Sequence, residues 1–449
     1  MKEYRAFVLD EGICWFSKEE ISIYKRYGLL EEMKYYLFSS PPKLRGYPLR
    51  VCELLKKIEN ASFYPKLSGL IEAVSEIGGK LYLVGGSVRD LILYGDILRE
   101  PDLLVDADVS IFLESLLKRG ISLKEMTPFL TLKVIVEDEL FDVAFCRKEF
   151  YERPGDLPKV SIASLMEDMY RRDFTINAMA LGICGEEKGM LYDPFFGLED
   201  LSKGLLRVIR PYSFIEDPTR IVRAVRLKMR FSLEFEDETL RLLRKAVEKG
   251  ALRLISWVRL WREFEEFFKE ENAIEGIFLM DNLGIFESIG LTLEEKEREV
   301  LMKLRQESLL PEEKERYMLY ALFGMKGEDE AREWGLRFQL SKNIRESLVM
   351  ASFWRDLDRL NFGRKYQIMK KADESLVRFW SICIGRDLTD LWKKIVSERP
   401  ILSQEEIKKM ALNKGVEYGR IKMEVLRLQI EEGLKSKGDI LRRLGKESV

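Results

Sequence analysis

The chain has 449 residues, of which 46% are hydrophobic and 34% charged, and its formal net charge is −2. That length exceeds what one ordinary core accommodates and predicts about two to four domains. It contains no histidine, which excludes imidazole general bases, Ser-His-Asp triads and zinc sites that need imidazole, so chemistry falls to carboxylates, Arg, Lys or bound metal.

No apolar run reaches membrane-spanning length, and Met1 to Phe16 lacks the basic start, apolar core and cleavage site of a signal peptide. Cys14, Cys52, Cys146, Cys184 and Cys383 form no close pair. They suggest neither a disulfide framework nor a zinc ribbon, and a reducing cytoplasm fits them best. Asn and Gln total only 12, a balance that accompanies ion-pair networks in proteins of hot environments.

In chain order, residues 17–60 read as amphipathic helix broken near Ser39-Ser40-Pro41-Pro42, an N-terminal extension. Short runs rich in β-branched and aromatic residues follow. They predict strands at Leu81 to Val84, Leu103 to Val105, Thr131 to Val136, Leu140 to Cys146 and Met179 to Ile183. Beyond about residue 212 apolar residues recur at spacings of three and four, with Pro311 and Pro400 as helix starts or breaks. The expected class is α+β, a mixed-sheet head followed by an all-helical part.

The first strand runs into Gly85-Gly86-Ser87-Val88-Arg89-Asp90. Two glycines allow backbone N–H groups to approach an anion, Ser87 can cap the following helix, and Arg89 adds a formal positive charge. Gly95 is placed to end that helix.

Nucleotidyl transfer by two metal ions needs two carboxylates on one strand edge, and alternate strand residues share a face. Two acid-x-acid pairs qualify, Glu100-Pro101-Asp102 before the second strand and Asp106-Ala107-Asp108 at its far end; position favours the first. Asp142, on a neighbouring strand, can supply a third carboxylate.

Arg171-Arg172-Asp173 leads to Asn177; paired guanidiniums bind phosphate bidentately, and Asp173 or Asn177 can hold a ribose hydroxyl. Asp217 is expected at a helix N-cap with Pro218 in the first turn, followed by Arg220, Arg223 and Arg226 along one side. A carboxylate accepts from an exocyclic amine while a guanidinium donates to the neighbouring ring nitrogen, so Asp217 with Arg220 can select cytosine and adenine. Basic residues also crowd Lys203 to Arg230 and Arg420 to Lys446, as contacts to an RNA backbone require.

These segments, with Asp193-Pro194-Phe195-Phe196-Gly197, stand in the order and approximate spacing of class II tRNA nucleotidyltransferases and bacterial poly(A) polymerases. The chain resembles that family strongly over roughly residues 70–270 and loosely elsewhere. The resemblance implies a nucleotidyltransferase head (61–205), a neck (206–270), a body (271–350) and a tail (351–449) after an extension over 1–60.

It further implies Mg²⁺ at Glu100 and Asp102, ATP and/or CTP as substrate, a tRNA acceptor arm gripped by body and tail, and no membrane. The activity implied is template-independent addition of C and/or A, with a lean toward terminal A addition or CCA repair. The alternatives are a poly(A) polymerase on general RNA and a catalytically silent tRNA-binding paralogue. Two segments depart from the family pattern: Glu100-Pro101-Asp102 aligns with an Asp-x-Asp pair, and Phe129-Leu130-Thr131 aligns with Phe-Gly-Thr after a short loop. Arg147 follows the Asp142 strand as an arginine does in the family.

Overall fold

The computed structural model describes the backbone of residues 4–9, 12–17, 34–38 and 49–50, then residue 56 and residues 58–446 apart from 62, 96, 98–99, 137 and 415. It comprises two units, Met1–Ser256 with Phe278–Gly290, and Trp257–Ile277 with Leu291–Val449.

The first unit begins with β1 (Tyr4–Leu9), β2 (Gly12–Ser17) and β3 (Lys34–Phe38), a small sheet in the order β2-β1-β3. Helix was expected over 17–60. Instead Lys34–Phe38 is a strand, and β4 (Leu49–Arg50) joins the main sheet; the rest of that range lies almost wholly outside the described residues. The run Tyr35-Tyr36-Leu37-Phe38 explains the difference, because aromatic residues favour the pleated ribbon and no polar face interrupts them at helical spacing.

The main sheet also contains β5 (Lys80–Val84), β6 (Leu103–Asp106), β7 (Ser122–Met126), β8 (Thr131–Val136) and β9 (Glu139–Phe145). A hairpin of β10 (Arg147–Phe150) and β11 (Lys159–Ile162) stands apart from it, and β12 (Ala180–Gly182) and β13 (Met190–Tyr192) complete it. The order is β4-β13-β12-β5-β6-β9-β8-β7, antiparallel except where β6 runs parallel to β9. The strands expected from sequence are therefore present.

Alternation along β5 and β6 gives the sheet two buried faces. Leu81, Leu83, Leu103 and Val105 join one core with α1 (Ser68–Glu76), α2 (Gly86–Tyr94) and α3 (Val109–Lys118). Tyr82, Val84 and Leu104 face the other way, onto Leu165 and Met169 of α4 (Leu165–Tyr170). Burying both faces holds the strand ends in fixed register, and that register is what builds the site.

The unit continues with α5 (Gly197–Ser202), α6 (Ser213–Glu216), α7 (Thr219–Phe231) and α8 (Asp237–Glu248). A two-residue parallel pair, Leu205–Leu206 with Glu234–Phe235, bridges to α7.

The second unit is helical. Phe264, Phe323, Trp334 and Phe338 pack ring to ring, with the Phe323–Phe338 centroids 5.1 Å apart. Pro311 does open a helix, Pro311–Leu319, and Pro400 lies between Thr389–Ser397 and Gln404–Lys414. The last three helices enclose a core of their own around Ile407, Val425 and Ile440. No helix among the described residues is long and apolar enough to cross a membrane.

Candidate active site

The register of the central strands gathers the first elements. Leu83 pairs with Leu103, and the Val84 amide donates to the Asp102 carbonyl at 2.9 Å, so Asp102 lies beside the strand end that turns at Gly85-Gly86. The Gly85 amide donates to Met179 O at 3.0 Å, which brings the segment after Asn177 to the same place.

Gly85 has φ +61, and a Cβ there would sit 2.7 Å from Arg172 Nη1. Only glycine allows both the turn and the guanidinium pressed against it. The helix that follows ends at Gly95 in the left-handed conformation. Ser87, expected as its cap, has another use. Its Oγ accepts from the Asp102 amide at 2.8 Å and lies 3.4 Å from Asp102 Oδ2, so it ties α2 to the acid segment.

A cleft of about 440 Å³ opens here, lined by Gly86, Ser87, Asp90, Glu100 and Asp102 among others. Part of Asp102 meets solvent, yet protein atoms crowd its carboxyl. Burial raises its pKa, and Arg172, the Ser87 bonds and Arg89 offset this only in part.

The second acid pair is elsewhere. Asp106 pairs in register with Lys80 at the opposite end of β6, and Asp108 caps α3, accepting from Ser110 N at 2.9 Å and Ile111 N at 3.0 Å. Asp142 precedes Val143, which pairs with Leu103, so it stands one strand from Asp102. It does not line the cleft, and its carboxylate lies 3.6 Å from Lys133 across the hairpin.

Arg171 and Arg172 share a carboxylate that sequence reasoning missed. Asp168, with a side chain 0% exposed, accepts from Arg171 Nε at 2.9 Å and from Arg172 Nε and Nη2 at 3.1 and 2.9 Å. The Arg147 amide adds a fourth bond at 3.3 Å. Burial alone would push this carboxyl up, but Arg172 and Arg171 hold it below the usual carboxylate range. The signal was present in the sequence, since an acid three and four residues before two arginines meets both on a helix.

Asp173 is buried too. It accepts from Phe174 N at 2.8 Å and Asn177 Nδ2 at 3.1 Å, and lies 3.4 Å from Arg223 Nη1. Asn177 in turn accepts from Arg89 Nη1, whose Nε and Nη2 donate to Asp90 at 2.9 and 2.7 Å. Asp90, Arg89, Asn177, Asp173 and Arg223 thus form one chain of polar contacts from α2 to α7.

Asp217 was expected at the N-cap of α7, but Pro218 holds that position and Asp217 stands one residue earlier, at the end of α6, where it accepts from Thr219 N at 3.2 Å and Thr219 Oγ1 at 2.6 Å. Arg220 is 4% exposed, donating through Nη1 to Ser213 Oγ at 2.5 Å and through Nη2 to Arg171 O at 2.9 Å. Its Nε, 3.9 Å from Asp217 Oδ2, has no hydrogen-bond partner among the described residues. Arg226 lies one turn beyond Arg223, half-buried.

Residues 81–207, the segment that builds most of this constellation, match the poly A polymerase head domain. The match assigns the head of this chain, residues 81–207, to the poly A polymerase head-domain family. It is 33% identical over 296 residues to an A-adding tRNA nucleotidyltransferase of Geobacter sulfurreducens, a match covering 62% of this chain and 34% of that one. With the A-adding tRNA nucleotidyltransferase of Halalkalibacterium halodurans it shares 33% identity over 246 residues, 54% of this chain and 57% of the relative. The chain thus spans about a third to just over half of the length of these relatives. The fold is also that of a CCA-adding enzyme in an apo form, with a TM-score of 0.72, 24% identity, and coverage of 89% of this chain and 99% of that one.

Within this head the Asp193-Pro194-Phe195-Phe196-Gly197 segment is architectural. Asp193 accepts from Gly197 N at 2.7 Å and Leu198 N at 2.9 Å, starting α5, and a Cβ on Gly197 would collide with Thr175 O. Arg147 fastens the Phe129-Leu130-Thr131 segment, donating to Phe129 O and, at 3.3 Å, to Thr131 Oγ1. Leu130, where glycine is common in the family, has φ +57. Arg230 of α7, also missed, lines the cleft; it falls seven residues after Arg223, hence on the same helical face.

Proposed function

We propose that the chain is a template-independent nucleotidyltransferase that adds the terminal A of tRNA from ATP, with Mg²⁺ as its working ion. The observation that carries this reading is the meeting of Glu100 and Asp102 with the Gly85-Gly86 turn at one cleft. The restriction to A is supported by the relatives described above, which are A-adding enzymes.

The donor set fits magnesium. That ion takes one or two carboxylates from a protein and lets phosphate oxygens and water complete its shell. Among the described residues no group of three or more Asp, Glu, Cys or His gathers into an all-protein cage. The crowding that raises Asp102 is also of the kind a bound cation relieves. Glu100 and Asp102 would hold the metal, which when bound activates the attacking hydroxyl and neutralises triphosphate charge.

The chain's own residues do the rest. Backbone N–H groups at the start of α2 face the phosphates. Arg172, set against Gly85 by Asp168, adds positive charge at the turn. Asp217 accepts from the exocyclic amine of the base, and Arg220 Nε, the donor left uncommitted, gives its hydrogen to the adjacent ring nitrogen. The 3′-oxygen then bonds to the α-phosphorus, the bond to the bridging oxygen breaks, and pyrophosphate leaves with the electron pair while the hydroxyl proton passes to water.

The test is incubation with tRNAs ending before CCA, after one C and after CC, each with CTP or ATP. One A added only to the CC-ended tRNA is expected. Incorporation of C would widen the activity, long A tails on any RNA would make it a poly(A) polymerase, and no incorporation at all would reject the reading. Asp102→Ala should lower turnover by roughly a thousandfold, the scale of losing one preorganised charge at a reacting centre, with tRNA affinity intact.

A further inference from the structure

We propose that Arg230 binds the β- and γ-phosphates of the incoming nucleotide, so that α7 holds one nucleotide at both ends. The inference rests on the nucleotidyltransferase reading and deepens it.

Among the residues lining the cleft, Arg230 is the contribution of α7, and it shares that lining with Glu100 and Asp102. Arg89 is the other guanidinium there. It donates to Asp90 and Asn177, is 5% exposed, and lies over the Phe231 ring with its Cζ 4.2 Å from the centroid. Its place in the polar chain from α2 to α7 makes it a strut.

Arg230 covers the same ring from 5.5 Å, so two guanidiniums are held about one aromatic side chain at the edge of the cleft. Like charges brought this close repel. After burial, which is the larger cause, the Arg230 charge also works to lower the pKa of Arg89, against the pull of Asp90. An anion set beside the pair relieves that repulsion, and a phosphate is the anion whose geometry a guanidinium fork matches.

The helix supplies the measure. Arg220, at the base-reading end, precedes Arg230 within the single helix Thr219–Phe231. At 1.5 Å rise per residue the two positions stand about 15 Å apart along the axis, comparable with the reach of an extended nucleoside triphosphate from base to terminal phosphate. A rigid helix that reads the base with one end and grips the leaving group with the other couples base choice to alignment of the reacting phosphorus.

Pyrophosphate is the probe, because it carries the β- and γ-phosphates without base or ribose. Its binding to the full chain is measured by calorimetry with Mg²⁺ present, beside ATP, AMP and tRNA, for the wild type, Arg230→Ala and Arg230→Lys. Loss of one charge-assisted contact should weaken pyrophosphate and ATP by about ten- to a hundredfold. AMP and tRNA should bind Arg230→Ala as they bind the wild type, and Arg230→Lys should recover part of the loss.

Unchanged pyrophosphate binding by Arg230→Ala overturns the proposal, and so does an equal loss for AMP, which would mean that α7 itself had shifted. If the Ala variant does not fold, the Lys variant decides by the same comparison of pyrophosphate with AMP. A wild type that adds no nucleotide to any tRNA removes the nucleotidyltransferase reading instead; an active wild type with an indifferent Arg230→Ala removes this inference alone.

Discussion

Asp168 touches no solvent, yet it carries four hydrogen bonds from two arginine side chains and one backbone amide. A buried carboxylate in that position is paired or it is ruinous, because removing one member of a buried ion pair leaves the others desolvated and uncompensated. Asp168→Asn is therefore expected to cost about 3 kcal/mol or more of stability, read as a lower urea midpoint at unchanged slope. It should also raise the KM for ATP, because Arg172 would no longer be held against Gly85. A variant as stable as the wild type would contradict this account.

Much at this scale was legible. The spacing of Asp168 from both arginines can be read on any helix, and a helix beginning at Asp-Pro-Thr is legible to within one residue of its start. What could not be read is burial and exchange of partners. Ser87 looks like a cap in a linear sequence. Its bond to Asp102 exists only because β5 and β6 pair in one register.

At the scale of elements, the strand–glycine–helix unit was visible because each part has its own local reason: a short apolar strand, a turn that needs glycine, and Gly95 to stop the helix. The structure adds a tighter constraint at Gly85. Its φ of +61 disfavours any other residue, and a Cβ would come within 2.7 Å of Arg172 Nη1. Gly85→Ala should cost about 1–3 kcal/mol from the strained backbone alone, and should displace Arg172 as well. Thermal melting would show the first effect, and a rise in the KM for ATP with tRNA binding preserved would show the second. An alanine variant with wild-type melting would mean that the turn is less constrained than its geometry indicates.

The N-terminal extension illustrates the opposite case. Residues 17–60 read as amphipathic helix over a long window, which masks the short aromatic run at Lys34–Phe38 that finds a strand partner in β1. Non-local pairing of this kind is hidden from any reading by window.

For the whole molecule, the missing histidines decide how stability responds to pH. Imidazole is the one side chain whose ordinary pKa lies between about 5 and 8, and this chain has none. Among the described thiols, Cys146, Cys184 and Cys383 are pushed upward by burial, away from that range. Asp168 and Asp173 lie on the other side: burial would raise them, but Arg172 and Arg171 at the first and Arg223 and Arg220 at the second hold them low.

A carboxylate whose folded pKa lies below its unfolded value adds stability at every pH above the unfolded value, and that stability is lost as pH falls through the folded one. Stability should accordingly be flat between about pH 6 and 8 and decline only below about pH 5, where unfolded carboxylates begin to bind protons. Urea denaturation at a series of pH values checks it. The acid decline should be shallower in Asp168→Asn, which lacks one of the depressed groups. A stability step centred near pH 6.5 would, without imidazole, require a carboxylate raised by burial, as Asp102 is, and would show that the ion-pair network around Arg171 and Arg172 is not what governs the acid response.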